Sequence, residues 1–287
     1  MGNRFELTPK GMRKIGHKAL HEIFNLIKPS RIGQHISKKN GQGIEDADGT
    51  KKYEFGDQFR LDINQTILNA INRTKSGIPV SIDLKDLEVI RTYDLSLSST
   101  VVLLDLSLSM ATRGNFLASK KVALAMDSLM RSQFPRDNLY IVGFSTYARE
   151  IKSEKLALLS WDESDPYTNM QHGLMISQKL LDRTPGGTKQ IIMISDGEPT
   201  AHFQDGELIL EYPPSTSTIE ETLREVKRCT VKGTKITTFM LDRTSSLIEF
   251  IGQVNKINKG RVFYTSPDKL GQYLMVDYIT NRRQVIS

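Results

Sequence analysis

Val101-Val102-Leu103-Leu104-Asp105-Leu106-Ser107-Leu108-Ser109-Met110 decides how this chain is read. Four apolar, partly β-branched residues in a row mark a strand buried on both faces, as in parallel sheets. The run ends in Asp105, Ser107 and Ser109, three oxygen-bearing side chains at alternate positions. If that tip bends into a loop, one carboxylate and two hydroxyls converge. They form half of a hard-cation site, since Mg²⁺ takes oxygen ligands at about 2.0–2.1 Å. Asp and Ser also cluster in ordinary loops, so the stretch alone leaves a solvated strand end equally open.

Around it lies the composition of an ordinary globular protein: 287 residues, 38% apolar and 25% charged. The charged start Met1–Glu6 has no signal-peptide core, and no apolar run approaches a membrane span. Glu6 stands where myristoylation requires Ser or Thr. Cys229, the sole cysteine, excludes an intrachain disulfide and a cysteine-based metal cluster. A cytoplasmic protein free of the membrane is therefore expected. The formal charge is +6, and between positions 10 and 39 Glu22 alone opposes Lys10, Arg13, Lys14, Lys18, Lys28, Arg31, Lys38 and Lys39. No nucleic-acid motif or aromatic platform accompanies these residues, so they read as a solvated face rather than a nucleic-acid site.

Residues 1–32 read as a basic amphipathic N-terminal helix. Thr8-Pro9 supplies its cap and first-turn proline, and Met12, Ile15, Ala19, Leu20, Ile23 and Ile27 keep the helical period. The short lead before this helix points to a longer natural N-terminus. Residues 33–57, polar and rich in Gly and Lys, read as a flexible linker. An EF-hand aligned on Gly49 is rejected, because Ile44 and Phe55 stand where acids are needed. Residues 58–94 read as a helix and a strand leading into the core. Asp62 caps the helix, with Ile63, Ile67, Leu68 and Ile71 on its apolar side and a stop near Gly77; the strand covers 87–93.

From 95 to 283 strands and helices alternate. Strands are expected at 139–144, 189–195, 235–241 and 261–264, with helices at 115–134, 169–182, 219–231, 245–258 and 267–283. This order implies an α/β fold with a doubly wound, mostly parallel sheet flanked by helices, Rossmann-like in its winding. Ligands of such sheets bind beyond the carboxyl ends of the strands, where Asp105 to Ser109 should lie. Other strand ends should then supply matching oxygens. Ile191–Ser195 is a second apolar strand, and it runs into Asp196-Gly197; Tyr167-Thr168-Asn169 opens the helix between the two. Singly, Asp-Gly is a common turn and Thr a common cap. Together the three segments are far more specific.

Asp-x-Ser-x-Ser, a loop Thr before a helix, and Asp-Gly after a central strand resemble the metal-ion-dependent adhesion site of von Willebrand factor type A (integrin I-like) domains. Gly143-Phe144-Ser145 at the second strand fits the same order. The resemblance implies a Mg²⁺ site, with Mn²⁺ or Ca²⁺ as alternatives. Ser107, Ser109 and Thr168 would ligate through hydroxyls, and Asp105 and Asp196 directly or through water. The remaining position would take an Asp or Glu of a protein partner. A finer resemblance, to bacterial stand-alone type A proteins related to the C-terminal domain of the magnesium-chelatase D subunit, rests on Phe5–Gly11, Gln133–Asp137, Thr188–Met193 and Asp196–Thr200. It implies an adaptor for an AAA+ ATPase of chelatase or MoxR type, acting in metal insertion or protein remodelling. No Gly-x-x-x-x-Gly-Lys-Ser/Thr occurs in the chain, so that ATPase would act in trans.

The expectation is thus a Mg²⁺-dependent protein-interaction module, not an enzyme. Two alternatives stand beside it: a type A domain binding another acidic ligand without an ATPase, and a Mg²⁺-dependent hydrolase. A haloacid dehalogenase-type phosphatase would need Asp where Ser107 stands. A serine hydrolase would need Gly-x-Ser-x-Gly, and Gly143-Phe144-Ser145-Thr146-Tyr147 lacks the second glycine. His172 reads as a surface or supporting residue behind the metal loop. His202–Tyr212, with Asp205-Gly206 at its centre and Pro213-Pro214 beyond, reads as a hairpin over the metal face. Tyr147, Trp161 and Tyr167 fall near the same rim, as contact anchors or as packing.

Overall fold

The computed structural model describes residues 9–26, 44–54, 59–74, 80–94, 97–184 and 186–282. The cap at Thr8, the Lys28-Pro29 stop, the linker stretches 33–43 and 55–57, and the breaks at Gly77 and Pro185 lie outside the described residues. The chain divides into two compact units: residues up to Arg31 with Leu97–Tyr278, and Ile32–Ser96 with Ile279–Ser287. The first helix, α1 (Pro9–Leu26), belongs to the larger unit.

The smaller unit holds β1 (Ile44–Lys52), α2 (Ile63–Thr74) and β2 (Glu88–Asp94). Here the linker reading is corrected. Residues 44–52 pair antiparallel with β2, Ile44 opposite Asp94 and Lys52 opposite Glu88. A two-stranded ladder joins main chains and needs no apolar period along the strand, so the charged composition concealed it. The register shifts between Asp46 and Thr50, where Gly49 takes a φ of 102° that few other residues adopt.

The cap of α2 is the expected one, with the Gln65 N–H donating to Asp62 Oδ1 at 3.0 Å. Its inward face is not. Thr66 and Ala70 are buried, whereas Ile63, Ile67, Leu68 and Ile71 are exposed. The helix meets the strands through hydrogen bonds instead of apolar packing. Thr66 Oγ1 accepts from the Glu88 N–H at 3.0 Å, and Asn69 Nδ2 donates to Glu88 Oε2 at 2.9 Å. The Arg73 guanidinium forks onto Asp86 at 2.7 to 3.0 Å, and the Asp83 N–H adds a bond of 2.8 Å. Arg73 holds the Asp86 carboxyl below the usual carboxylate range.

In the larger unit, β3 (Ser98–Asp105) is followed by α3 (Leu108–Thr112), α4 (Asn115–Gln133), β4 (Asn138–Phe144), β5 (Ala148–Glu150) and α5 (Ser153–Leu156). Then come α6 (Met170–Leu181), β6 (Thr188–Ser195), β7 (Ala201–Gln204), β8 (Glu207–Leu210), α7 (Thr216–Val231), β9 (Lys235–Met240), α8 (Ser245–Asn258), β10 (Val262–Tyr264) and α9 (Pro267–Arg282). Six strands form one sheet in the order β10-β9-β6-β3-β4-β5, parallel throughout except for β5. The doubly wound, mostly parallel sheet read from the sequence is thus the fold. The elements it did not foresee, α3, α5 and the edge strand β5, are five residues or shorter and carry no usable period.

All eight residues of β3 are buried, which places it in the middle, with Val102 opposite Ile141 of β4 and Ile192 of β6. Val101, Leu103, Val142, Phe144, Ile191 and Met193 join one core with apolar residues of α6, α7 and α8. The alternate side chains of β3 point to the other face, where α4 packs on β3 and β4 and α1 packs on α4. There Tyr278 of α9 reaches the Met130 sulfur of α4 at 2.8 Å. β4 lies on one side of β3 and β6 on the other, so the winding reverses at β3. Its carboxyl end and that of β6 sit side by side at the switch point.

A prediction concerns the smaller unit. Asp86 has its folded pKa below its unfolded one, so its charge contributes stability above the unfolded value and loses it as pH falls through the folded value. Asp86→Asn should therefore speed amide exchange in β1 and β2 at neutral pH. The difference from wild type should shrink in acid, as hydrogen exchange followed against pH would show.

Candidate functional site

Asp105 ends β3, and the chain bends at once, the Ser107 N–H donating to Asp105 Oδ1 at 2.8 Å. Helix α3 begins at Leu108, which puts Ser109 in its first turn. Ser107 Oγ and Ser109 Oγ lie 3.2 Å apart, and Ser109 Oγ donates to Asp196 Oδ1 at 2.6 Å. Asp196 directly follows β6. The ends of two neighbouring strands are thus joined through hydroxyls, and four of the five sequence-predicted residues form one connected group.

Thr168 arrives by its main chain. The Leu108 N–H donates to the Pro166 carbonyl at 3.1 Å, which seats the loop against the start of α3. The next residue, Asn169, caps α6 by accepting the His172 N–H at 2.9 Å, and its own N–H donates to the Ser145 carbonyl at 2.7 Å. Asp165 grips the end of β4, accepting from the Thr146 N–H at 2.9 Å and from Ser145 Oγ. Among the described residues no hydrogen bond links the Thr168 hydroxyl to the other four.

Two supporting residues escaped the sequence reading. Ser195 Oγ donates to Asp105 Oδ2, and Asn115 Nδ2 donates to Asp196 Oδ2 at 2.8 Å. Ser195 carried a signal, a hydroxyl next to the strand-end acid. Asn115 carried none, because only the packing of α4 brings it to Asp196. Asp105, Ser107, Thr168 and Asp196 are all buried, and Ser109 is half-buried. Burial first, and the charge of Asp196 second, push the Asp105 carboxyl up from the ordinary 3.8 to about 7, against the opposing hydrogen bonds of Ser107 and Ser195. Among the described residues no basic side chain pairs with either carboxylate; Arg113, just past α3, pairs with Asp242.

The hairpin forms as expected. β7 and β8 pair across Asp205 and Gly206, both at positive φ (51° and 88°), as a tight hairpin turn requires. Its root is tied to the site. The Thr168 N–H donates to Thr200 Oγ1 and the Thr200 N–H to the Thr168 carbonyl, both at 2.9 Å. His202 of β7 is fully buried, with Nδ1 3.0 Å from Thr218 Oγ1 of α7. His172 is half-buried and accepts the Ala148 N–H through Nδ1 at 3.0 Å; burial lowers its pKa. Tyr147 and Trp161 are exposed, and Tyr167 is half-buried.

Among the described residues no group of three or more His, Cys, Asp or Glu side chains could hold a metal. The two carboxylates and two serine hydroxyls that the structure joins are all oxygen donors, the chemistry a hard cation takes.

Comparison with known proteins is consistent with the fold. The family model described as "Rv0959-like protein, vWA domain" matches residues 98–279. A second, "Rv0959-like protein, third domain", matches 45–92, the span from β1 to β2. The Mycobacterium tuberculosis (strain ATCC 25618 / H37Rv) protein named "Uncharacterized protein Rv0959" is 30% identical over 98% of this chain and 43% of its own length. The chain thus spans less than half the length of the curated relatives it matches. Among solved structures, the vWF domain of the type V pili tip protein Mfa5 from Porphyromonas gingivalis aligns with a TM-score of 0.50 at 12% identity, over 67% of this chain and 97% of that one. The D319A mutant of the PilB minor pilin from Streptococcus sanguinis also gives 0.50, at 14% identity, over 64% and 61%. At these identities the likeness is one of fold.

The paired acids give a prediction for the metal-free protein. Because the folded Asp105 holds its proton up to about pH 7, stability falls as pH rises from the ordinary 3.8 to about 7, and the loss is complete above that. Asp105→Asn removes the buried charge and should melt higher than wild type in EDTA at pH 8. Below the ordinary value the two should melt alike, which differential scanning calorimetry can check.

Proposed function

This chain belongs to the Rv0959-like vWA family, and we propose that it acts as a Mg²⁺-dependent protein-interaction module that captures a partner's carboxylate. Domains of the vWA type generally mediate protein interactions. One observation carries the finer reading: two buried carboxylates on adjacent strand ends share one hydroxyl cluster, and no basic side chain among the described residues compensates them. Ser107, Ser109 and Thr168 would hold the ion through hydroxyls, with Asp105 and Asp196 direct or through water; Mn²⁺ or Ca²⁺ could substitute. Bound there, the ion supplies an electrophilic point for an incoming Asp or Glu, since uncharged hydroxyls neutralise it only in part.

The chain's own residues prepare that point. Ser195 and Asn115 each fix one carboxylate oxygen, which leaves the second oxygens directed to the serines. Thr200 bonds the Thr168 main chain, and Asp165, three residues earlier in the same loop, ties it to the end of β4. The proposed role is non-catalytic and cytoplasmic, and no helix among the described residues is long and apolar enough to cross a membrane. The proposed partner is an AAA+ ATPase of chelatase or MoxR type. The support is the likeness of Phe5–Gly11, Gln133–Asp137, Thr188–Met193 and Asp196–Thr200 to chelatase-related type A proteins.

Mg²⁺ at a hundred times its dissociation constant should stabilise the wild type by about 2.7 kcal/mol. Ser109→Ala and Thr168→Ala should lose most of that gain in thermal melts with and without EDTA. A melting point indifferent to Mg²⁺ and Mn²⁺ refutes the cation site. A pull-down recovering an AAA+ protein in Mg²⁺ but not in EDTA supports the partnership; metal binding without such recovery removes it.

A further inference from the structure

The smaller unit carries its helix the wrong way round for a domain that stands alone. The side of α2 that meets the η-turn and β2 is polar, and Thr66, Asn69 and Arg73 spend their hydrogen bonds there on Glu88 and Asp86. The apolar side is left to water. Ile63, Ile67 and Ile71 recur at every fourth position and make one ridge along the helix, with Leu68 beside it. Their exposures are 66%, 37%, 40% and 52% in that order. Phe59 and Leu84 of the same unit are exposed as well.

Single exposed apolar residues are ordinary. Four along one helix, on the side that hydrogen bonding does not hold, form a surface that is stable only when covered. Its chemistry narrows what covers it. The sole charged residue of α2 is Arg73, and it forks onto Asp86. A helix lying on a lipid surface carries Lys or Arg along its polar face, and a nucleic acid demands the same cations. A ridge of residues four apart fits instead into the groove of another protein helix. The family model that matches 45–92, and with it the whole of α2, describes a third domain. The curated relatives run to more than twice the length that the chain covers in them. In such proteins a domain counted third has a second before it, and domains of one protein meet through interfaces of this modest kind.

We propose that the Ile63–Ile67–Ile71 ridge docks an apolar helix of the domain that precedes the third domain in this family. The contact is the same whether that domain shares a polypeptide with the ridge or stands on a separate one. The test places a benzophenone side chain at Leu68 in the protein as expressed in its own cells, with Glu220, exposed on α7, as the control position. After irradiation the cross-linked peptides are sequenced. Those from position 68 should fall in sequence similar to the part of the Mycobacterium tuberculosis relative that precedes its third domain, and those from position 220 should not. Ile67→Asp should cut that cross-link by about tenfold, the scale of one buried anchor. In the 287-residue chain purified alone, the same substitution should move the melting point by no more than about 2 °C, as expected of an exposed position. A larger fall shows the ridge already covered within the chain and overturns the proposal. Cross-links to a second copy's α2, to another part of this chain or to an unrelated protein overturn it too, as does no cross-link at all.

Discussion

Two like charges in one dry place constrain everything around them. Asp105 and Asp196 are nearly without solvent exposure, on neighbouring strand ends, and neither is matched by a basic group among the described residues. A buried carboxylate costs several kcal/mol unless paired or hydrogen-bonded. Burial first, and then the neighbouring charge of Asp196, push the Asp105 carboxyl up. The sheet tolerates this because β3 is pinned on both sides by ladders and by side chains that exclude water, so the acids cannot retreat to solvent. The surrounding hydroxyl and amide donors reduce the cost without removing it.

Hydrogen bonds in which some of these groups donate and others, Asp165 and Thr200 Oγ1, accept also tie the site together. Ser195 comes from β6, Asn115 from α4, Leu108 from α3, and Asp165 and Thr200 from two different loops. Each ties an element to one of the five site residues or to the loop that carries Thr168. The hairpin root bonds the Thr168 main chain, and the Thr146 carbonyl accepts from Asn169 beside it.

The smaller unit follows a different economy. It joins α2 to β2 through Thr66, Asn69, Arg73, Asp86 and Glu88, and leaves Ile63, Ile67 and Ile71 of α2 exposed. A reading by hydrophobic period assumes that apolar burial decides which face of a helix is covered. Here small residues and charge-assisted hydrogen bonds decide it. The same polarity disguised β1 as a linker, because ladder bonds between main chains leave no trace in side-chain pattern.

By itself the sequence determined the fold class and the strand ends that bear oxygen ligands. A doubly wound sheet needs central strands apolar on both faces, and Val101–Leu104 and Ile191–Ile194 could serve no other purpose once short polar tips followed them. It also marked Thr168, through its place at the opening of a helix, and the hairpin, through Asp205-Gly206. Tertiary structure alone decided which of those oxygens touch. It brought Asn115 from a distant helix to Asp196, set Thr200 beneath Thr168, and placed Tyr147 against Phe203. The division has a physical cause. Burial and backbone conformation are local demands, written in neighbouring residues. Contacts between side chains far apart in the chain depend on the relative placement of whole elements, to which many residues contribute and which no single one encodes.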